Sequence, residues 1–225
     1  MALMDARSTR PQAAAALLIG GLKDAGLTHL KKCREQTPPP STSDSIRRCE
    51  LCSLCTTRKQ AVPGEGAISA KFMFVGEAPG AEEDASGLPF VGKAGKLLTR
   101  IIEDGMGTQR KDAFITNILK CRPPGNRDPL PHETASCTPW LSKQIQEVKP
   151  QVIIALGKHA ACHLLGREGS LASFRGKSHR NDSSLPPIIV TYHPAYLLRN
   201  PRAKKDCWED IQLAMKTANI AQKDS

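Results

Sequence analysis

Residues 72–80 read FMFVGEAPG. A short apolar run stops at a glycine and gives way to a polar turn containing Pro79 and Gly80. A run this short, bounded by turn residues, reads as a strand buried on both faces. The same grammar recurs at Ala113–Asn117 (AFITN), Gln151–Leu156 (QVIIAL) and Pro187–Tyr192 (PIIVTY). Helical patterns fall between and after these runs, at Ala94–Asp104, Thr134–Val148, Lys158–Leu165 and around Lys204–Ala218. Alternation of this kind predicts an α/β fold, a parallel sheet with helices on both faces. Each strand ends in residues unsuited to a core: Gly76–Gly80, Asn117, Gly157–Lys158 and His193–Pro194. Ligands of parallel α/β sheets bind beyond the carboxyl ends of the strands. Four distant segments are therefore expected to converge on one crevice.

Outward from this region, the chain has 225 residues, enough for one domain with a tail. We divide it into an N-terminal extension, 1–45, and a domain, 46–225. The extension comprises a helix expected at Pro11–Lys32 and a proline-rich linker at 37–45 (TPPPSTSDS). The net charge is +10 and the pI about 9.3. A balance this basic suits a polyanion, nucleic acid first, unless it is only a solvated basic surface. No apolar run reaches the length of a membrane span, and no signal core precedes a cleavage site. The expected location is cytoplasmic, without a membrane partner.

Eight cysteines are unevenly spaced. Cys49 and Cys52 form C-x-x-C, and Cys121 and Cys137 flank a polar, proline-rich stretch. In a cytosolic chain such clustering suggests a metal, and thiolate-only sets suit zinc or iron–sulfur. Cys162 and Cys207 lie in helical apolar patterns and read as core residues.

Each motif has two readings. Gly87–Lys93 (GLPFVGK) matches part of a phosphate loop, but Ala94 stands where Ser or Thr would hold magnesium. Glu77, Glu82, Glu83 and Asp84 form either a solvated loop or a source of water-orienting carboxylate. Phe90 is either a core plug or a platform for a base. Asn117 either caps a turn or reads a base edge with one donor and one acceptor. His193 either caps the turn before Pro194 or donates a hydrogen bond to a leaving group. Lys120, Arg122, Arg127 and Arg199 are candidate phosphate contacts.

Together, CELC (49–52), GEAPGAEED (76–84), GLPFVGKAGKLL (87–98), TNILKCRPPGNRDP (116–129), Cys137 and YHPAYLLR (192–199) resemble the family 4 uracil-DNA glycosylases. These are the iron–sulfur type of bacteria and archaea. The resemblance covers about residues 46–218. It implies a three-layer α/β/α sandwich around a four-stranded parallel sheet. It also implies a [4Fe-4S] cluster on Cys49, Cys52, Cys121 and Cys137, leaving Cys55 a fifth nearby thiol. The implied reaction is hydrolysis of the N-glycosidic bond of uracil in single- or double-stranded DNA, leaving an abasic site. The uracil would lie among Gly76, Ala78, Phe90 and Asn117, with His193 stabilising the departing anion through O2. Glu77 and Glu83 rank together as the water-handling group, since Ala78 stands where better-known relatives carry Asp. Gly80 stands where they carry a methyl-excluding Tyr. Lys93 and Arg199 would contact DNA, and Leu197 or Leu198 would fill the gap left by a flipped base. A monomer is expected.

Two relatives on the same scaffold remain as alternatives. One traps uracil-DNA covalently through a histidine in an inserted loop after the second strand. No such insertion is present here, and His132 is the nearest histidine. The other is a non-catalytic binding module, which would have no need for Glu77, Phe90, Asn117 and His193 together.

Overall fold

The computed structural model of the protein describes residues 41–180 and 185–223. The helix expected at Pro11–Lys32 lies outside the described residues. Among the described residues, six strands form one sheet: β1 (Glu65–Gly66), β2 (Phe72–Gly76), β3 (Phe114–Asn117), β4 (Val152–Leu156), β5 (Ser178–His179) and β6 (Ile188–Thr191). Their order is β1-β3-β2-β4-β6-β5. The four central strands pair in parallel, as expected. The sheet is wider than the sequence suggested, because β1 and β5 add antiparallel two-residue edges. Segments of two residues carry no readable periodicity, so only pairing to a neighbour defines them.

The helices are α1 (Thr42–Arg47), α2 (Ala81–Ser86), α3 (Lys93–Arg100), α4 (Pro131–Val148), α5 (Lys158–Leu165), α6 (Leu171–Phe174), α7 (Pro194–Arg199) and α8 (Lys204–Lys223). Residues 42–45, read from sequence as linker, are the first turn of α1. Ser41 caps that helix by accepting from the Asp44 amide at 3.1 Å. Helix α3 passes at Ile101–Gly105 into a π-type turn, so the predicted Ala94–Asp104 helix is two segments.

Successive residues of a strand face opposite sides, which sorts the core into two layers. Met73, Val75, Ile153, Ala155, Ile188 and Val190 pack against Leu141 and Ile145 of α4 and Ala161 and Leu165 of α5. Phe74, Ile115, Ile154, Leu156 and Ile189 pack against Leu98 of α3, Leu197 of α7 and Ile211 and Ala214 of α8. The α/β/α sandwich follows. A third cluster joins Ile46, Leu54, Ala61 and Leu119 to Cys121 and Cys137. The chain starts the parallel sheet at β2, adds β3 on one side and returns to add β4 on the other. This change of direction opens a crevice at the carboxyl ends of the strands.

Candidate active site

That crevice is a cleft of about 510 Å³, lined among others by Glu77, Ala78, Gly80, Glu83, Phe90, Asn117, Asp128, His193 and Arg199. Three of the four expected strand ends, after β2, β3 and β6, meet there, while Gly157–Lys158 after β4 does not line the cleft.

Asn117 closes β3 and is 2% exposed, yet its Oδ1 has no hydrogen-bond partner among the described residues. Leaving a buried amide oxygen unpaired costs about 1–3 kcal/mol, so the position is one to explain. Its backbone is held from behind. The Lys120 ammonium donates to the Asn117 carbonyl at 2.6 Å, to Thr116 Oγ1 at 2.7 Å and to Gln144 Oε1 at 2.7 Å. Lys120 is thus no phosphate contact. It is buried, and burial drags its pKa down to about 7 against the pull of Cys137 and Cys121. Gly76 forms the floor beside Asn117. A Cβ there would sit 2.3 Å from Asn117 Oδ1 and 2.6 Å from Phe90 Cζ, so only glycine leaves room.

Phe90 is buried and takes φ +52°, a left-handed conformation costly for a bulky residue. Three groups enforce it. Glu83 Oε1 accepts from the amides of Val91 (2.9 Å) and Gly92 (3.2 Å), and its Oε2 accepts from Gly80 (3.1 Å). Arg110 donates to the Pro89 carbonyl at 2.7 Å while paired with Glu65 at 2.6 Å. Gly95 lets the following helix approach, since a Cβ there would overlap the Phe90 carbonyl. The two carboxylates ranked together from sequence are therefore unequal. Glu83 spends its oxygens on three backbone amides and braces the Phe90 loop. Glu77 faces the cleft half-buried, and burial raises its pKa, with His159 opposing and Asp128 adding to the rise.

His193 takes the capping role the sequence allowed and also lines the cleft. It is the N-cap of α7, where its Nδ1 accepts from the Ala195 amide at 3.1 Å. That bond fixes the neutral tautomer with the proton on Nε2. Burial, helped by Arg199 and opposed by Glu83, pushes its pKa down to about 4. At neutral pH the ring is an uncharged donor. Its centroid lies 5.6 Å from that of Phe90, the planes tilted by 34°.

Ala78 lines the cleft and also packs against the cysteine cluster. Lys93, the first residue of α3, and Arg199 are exposed. Leu197 is buried in the α3–α8 core layer at 1% exposure, which removes it as a DNA wedge; Leu198 is 44% exposed. His132 is exposed and does not line the cleft. Asn126 and Asp128 in the cleft lining, and His159 beside them, were not foreseen, and no local pattern marks them; Arg127, expected as a phosphate contact, lines the cleft while paired with Glu133 at 2.6 Å.

Cys49, Cys52, Cys55, Cys121 and Cys137 line one small pocket with Arg58, Lys120 and Trp140. Arg58 donates to Cys121 Sγ (3.1 Å), the Lys120 amide to Cys137 Sγ (3.3 Å) and Trp140 to Cys49 Sγ (3.3 Å). Donors aimed at sulfur suit thiolates that carry charge.

The family model for the uracil DNA glycosylase superfamily matches residues 63–212. The chain belongs to the uracil-DNA glycosylase superfamily. It is 47% identical to the type-4 uracil-DNA glycosylase of Saccharolobus solfataricus, over 76% of this chain and 82% of that protein. It is 45% identical to the type-4 uracil-DNA glycosylase of Sulfurisphaera tokodaii, over 75% and 80%. It is 44% identical to that of Pyrobaculum aerophilum, over 75% and 88%.

Proposed function

We infer that this chain is a DNA repair hydrolase that cuts the N-glycosidic bond of uracil in DNA, releasing uracil and leaving an abasic site. The observation that carries this reading is the orphan amide of Asn117 inside a cleft roofed by Phe90. An acceptor held in a dry wall matches the N3–H of uracil, and the amide NH₂ matches O4. Cytosine presents the opposite pattern, so binding it would leave buried groups unpaired.

A base within a duplex is out of reach and must be flipped into the cleft. Phe90 stacks on the flipped uracil. Exposed Leu198 fills the vacated stack, and Lys93 and Arg199 hold the flanking backbone. The bond between C1′ and N1 then breaks, its electron pair passing to uracil. His193 Nε2–H donates to the developing charge on O2. A neutral donor suits an anion that must leave, since it stabilises charge without trapping a tight ion pair. Water adds to the sugar cation, and its proton passes to the Glu77 carboxylate. Removing one preorganised donor of the His193 kind typically costs about 100- to 1000-fold in rate.

Cys49, Cys52, Cys121 and Cys137 would hold a [4Fe-4S] cluster. The pocket that gathers these sulfurs, with Arg58, the Lys120 amide and Trp140 donating to Cys121, Cys137 and Cys49, suits charged thiolate ligands. When bound, the cluster supplies a structural staple rather than electrons. Cys121 and Cys137 flank the 122–130 loop, which carries Asn126, Arg127 and Asp128 into the cleft. We place residues 1–39 outside the catalytic domain, which already includes α1, and expect the working protein to be a cytoplasmic, nucleoid-associated monomer.

The test is a single-turnover assay on a 5′-labelled U:G duplex. Cleavage at uracil only after alkali, with free uracil released, supports hydrolysis. A denaturant-resistant shifted band would instead indicate covalent trapping, and an inert protein that still binds would indicate a binding module.

A further inference from the structure

Two cleft residues and a neighbour outside the cleft lining come from segments that follow three different strands. Glu77 follows β2, Asp128 lies in the loop after β3, and His159 is the second residue of α5 after β4. One ligand-type atom from each lies within 4.8 Å of the others. His159 Nε2 and Asp128 Oδ2 are 3.9 Å apart. The reaction described above uses Glu77 alone, leaving His159 and Asp128 without a role. Neither is in the core: their side chains are 45% and 80% exposed, so fold stability does not require them there.

We propose that His159 and Asp128 are positioning residues that set the protonation of Glu77, His159 favouring its ionised form and Asp128 opposing it. The proposal rests on the reading of Glu77 as the group that takes the water's proton. That step needs an ionised carboxylate, and a half-buried one tends to hold its proton. A histidine is cationic in the acid range where carboxylates titrate. It favours the ionised form of Glu77, and the nearby Asp128 carboxylate disfavours it. The directions of the two influences on Glu77 agree with this geometry. Asp128 Oδ2 lies 3.9 Å from His159 Nε2, so the two opposing charges act on Glu77 from one cluster. Other charged groups are shared by all variants below and do not alter the comparison. They are Glu83, Arg127, Arg199 and His193 around the same cleft, Lys158 beside His159, and Lys120 buried behind the Glu77 loop.

The experiment is the pH–rate profile of single-turnover uracil release by the full, cluster-loaded chain, from pH 4.5 to 8.5. Variants are His159→Gln, His159→Lys, Asp128→Asn and Glu77→Gln. Glu77→Gln identifies the acid limb by removing it. His159→Gln is expected to move the midpoint of that limb up by about 0.5 pH unit, the size for a charge at this range in a solvated cleft. Asp128→Asn is expected to move it down by a similar amount, and His159→Lys to leave it near the parent value. Unmoved midpoints overturn the proposal, as does movement of both in one direction. A fall in rate with fixed midpoints also overturns it, since that is what loss of local structure alone would produce. If Glu77→Gln keeps both the limb and the rate, the reading of Glu77 fails and the proposal with it.

Discussion

The Cα of Gly76 faces the amide of Asn117 so closely that a Cβ on it would lie 2.3 Å from Asn117 Oδ1. The last residue of one strand is thus fitted to the last residue of its neighbour, in register. Gly76→Ala should displace both Asn117 and Phe90. A 1 Å misplacement in a site costs about 100-fold in rate. We expect at least that loss of uracil release under single-turnover conditions, with an unchanged circular dichroism spectrum.

Glu83 and Glu77 should separate experimentally. Glu83→Ala strands three backbone amides and releases the strained Phe90 loop. It should lower stability by about 1–3 kcal/mol, read by urea titration, and weaken substrate binding. Its pH–rate profile should keep the acid limb. Glu77→Gln should leave stability near the parent value and remove the limb.

The neighbouring leucines of α7 should fail in different assays. Leu197→Ala opens a cavity in a packed layer and should cost about 2–5 kcal/mol of stability. Leu198→Ala should leave stability within about 0.5 kcal/mol. It should slow uracil release from a duplex more than from a single strand, because only the duplex has a stack to refill. Equal slowing on both substrates would remove Leu198 as the wedge.

His193 ties stability to pH. Its folded pKa of about 4 lies below the ordinary histidine value. Between about pH 6.5 and pH 4 the unfolded chain binds the extra proton, so stability falls as pH falls through that window. The loss attributable to this ring is about 1–2 kcal/mol at pH 5. His193→Gln should flatten that part of the stability profile, measured by denaturant titration at pH 5 and pH 8. Nitrogen NMR of the parent should place the proton on Nε2 throughout the neutral range.

The cysteine pocket holds five thiols for four ligand places. Cys121→Ser should lose iron and the visible absorbance of a cluster, and Cys55→Ser should keep both. Iron retained by the first variant and lost by the second would reassign the ligand set. A colourless parent protein containing zinc would replace the cluster itself.

Much of the architecture was legible in residues 72–80 and their three repeats. A strand buried on both faces must be apolar throughout and must end where polar groups resume, so its limits are written locally. The crevice followed from the same strand ends, and Phe90, Asn117 and His193 all line it. The cysteine pairs also read correctly as neighbours around one pocket. The two edge strands were not legible, because two residues cannot display a period and their pairing depends on a partner elsewhere in the chain.

What the sequence determined alone was the order of strands and helices, the site of the crevice and the identity of most groups facing it. The tertiary structure decided what each group is free to do. Glu77 and Glu83 are both acidic residues of one short segment. Only the return of Val91 and Gly92 onto Glu83 consumes its oxygens, and only the loop after β3 and the start of α5 bring Asp128 and His159 to Glu77. Leu197 and Leu198 are likewise equivalent in the chain until α3 and α8 select which face of α7 is buried. Local pattern encodes conformation, because steric and solvent preferences act residue by residue. Hydrogen-bond satisfaction, burial and pKa are properties of neighbours in space, and those neighbours exist only once the chain has packed.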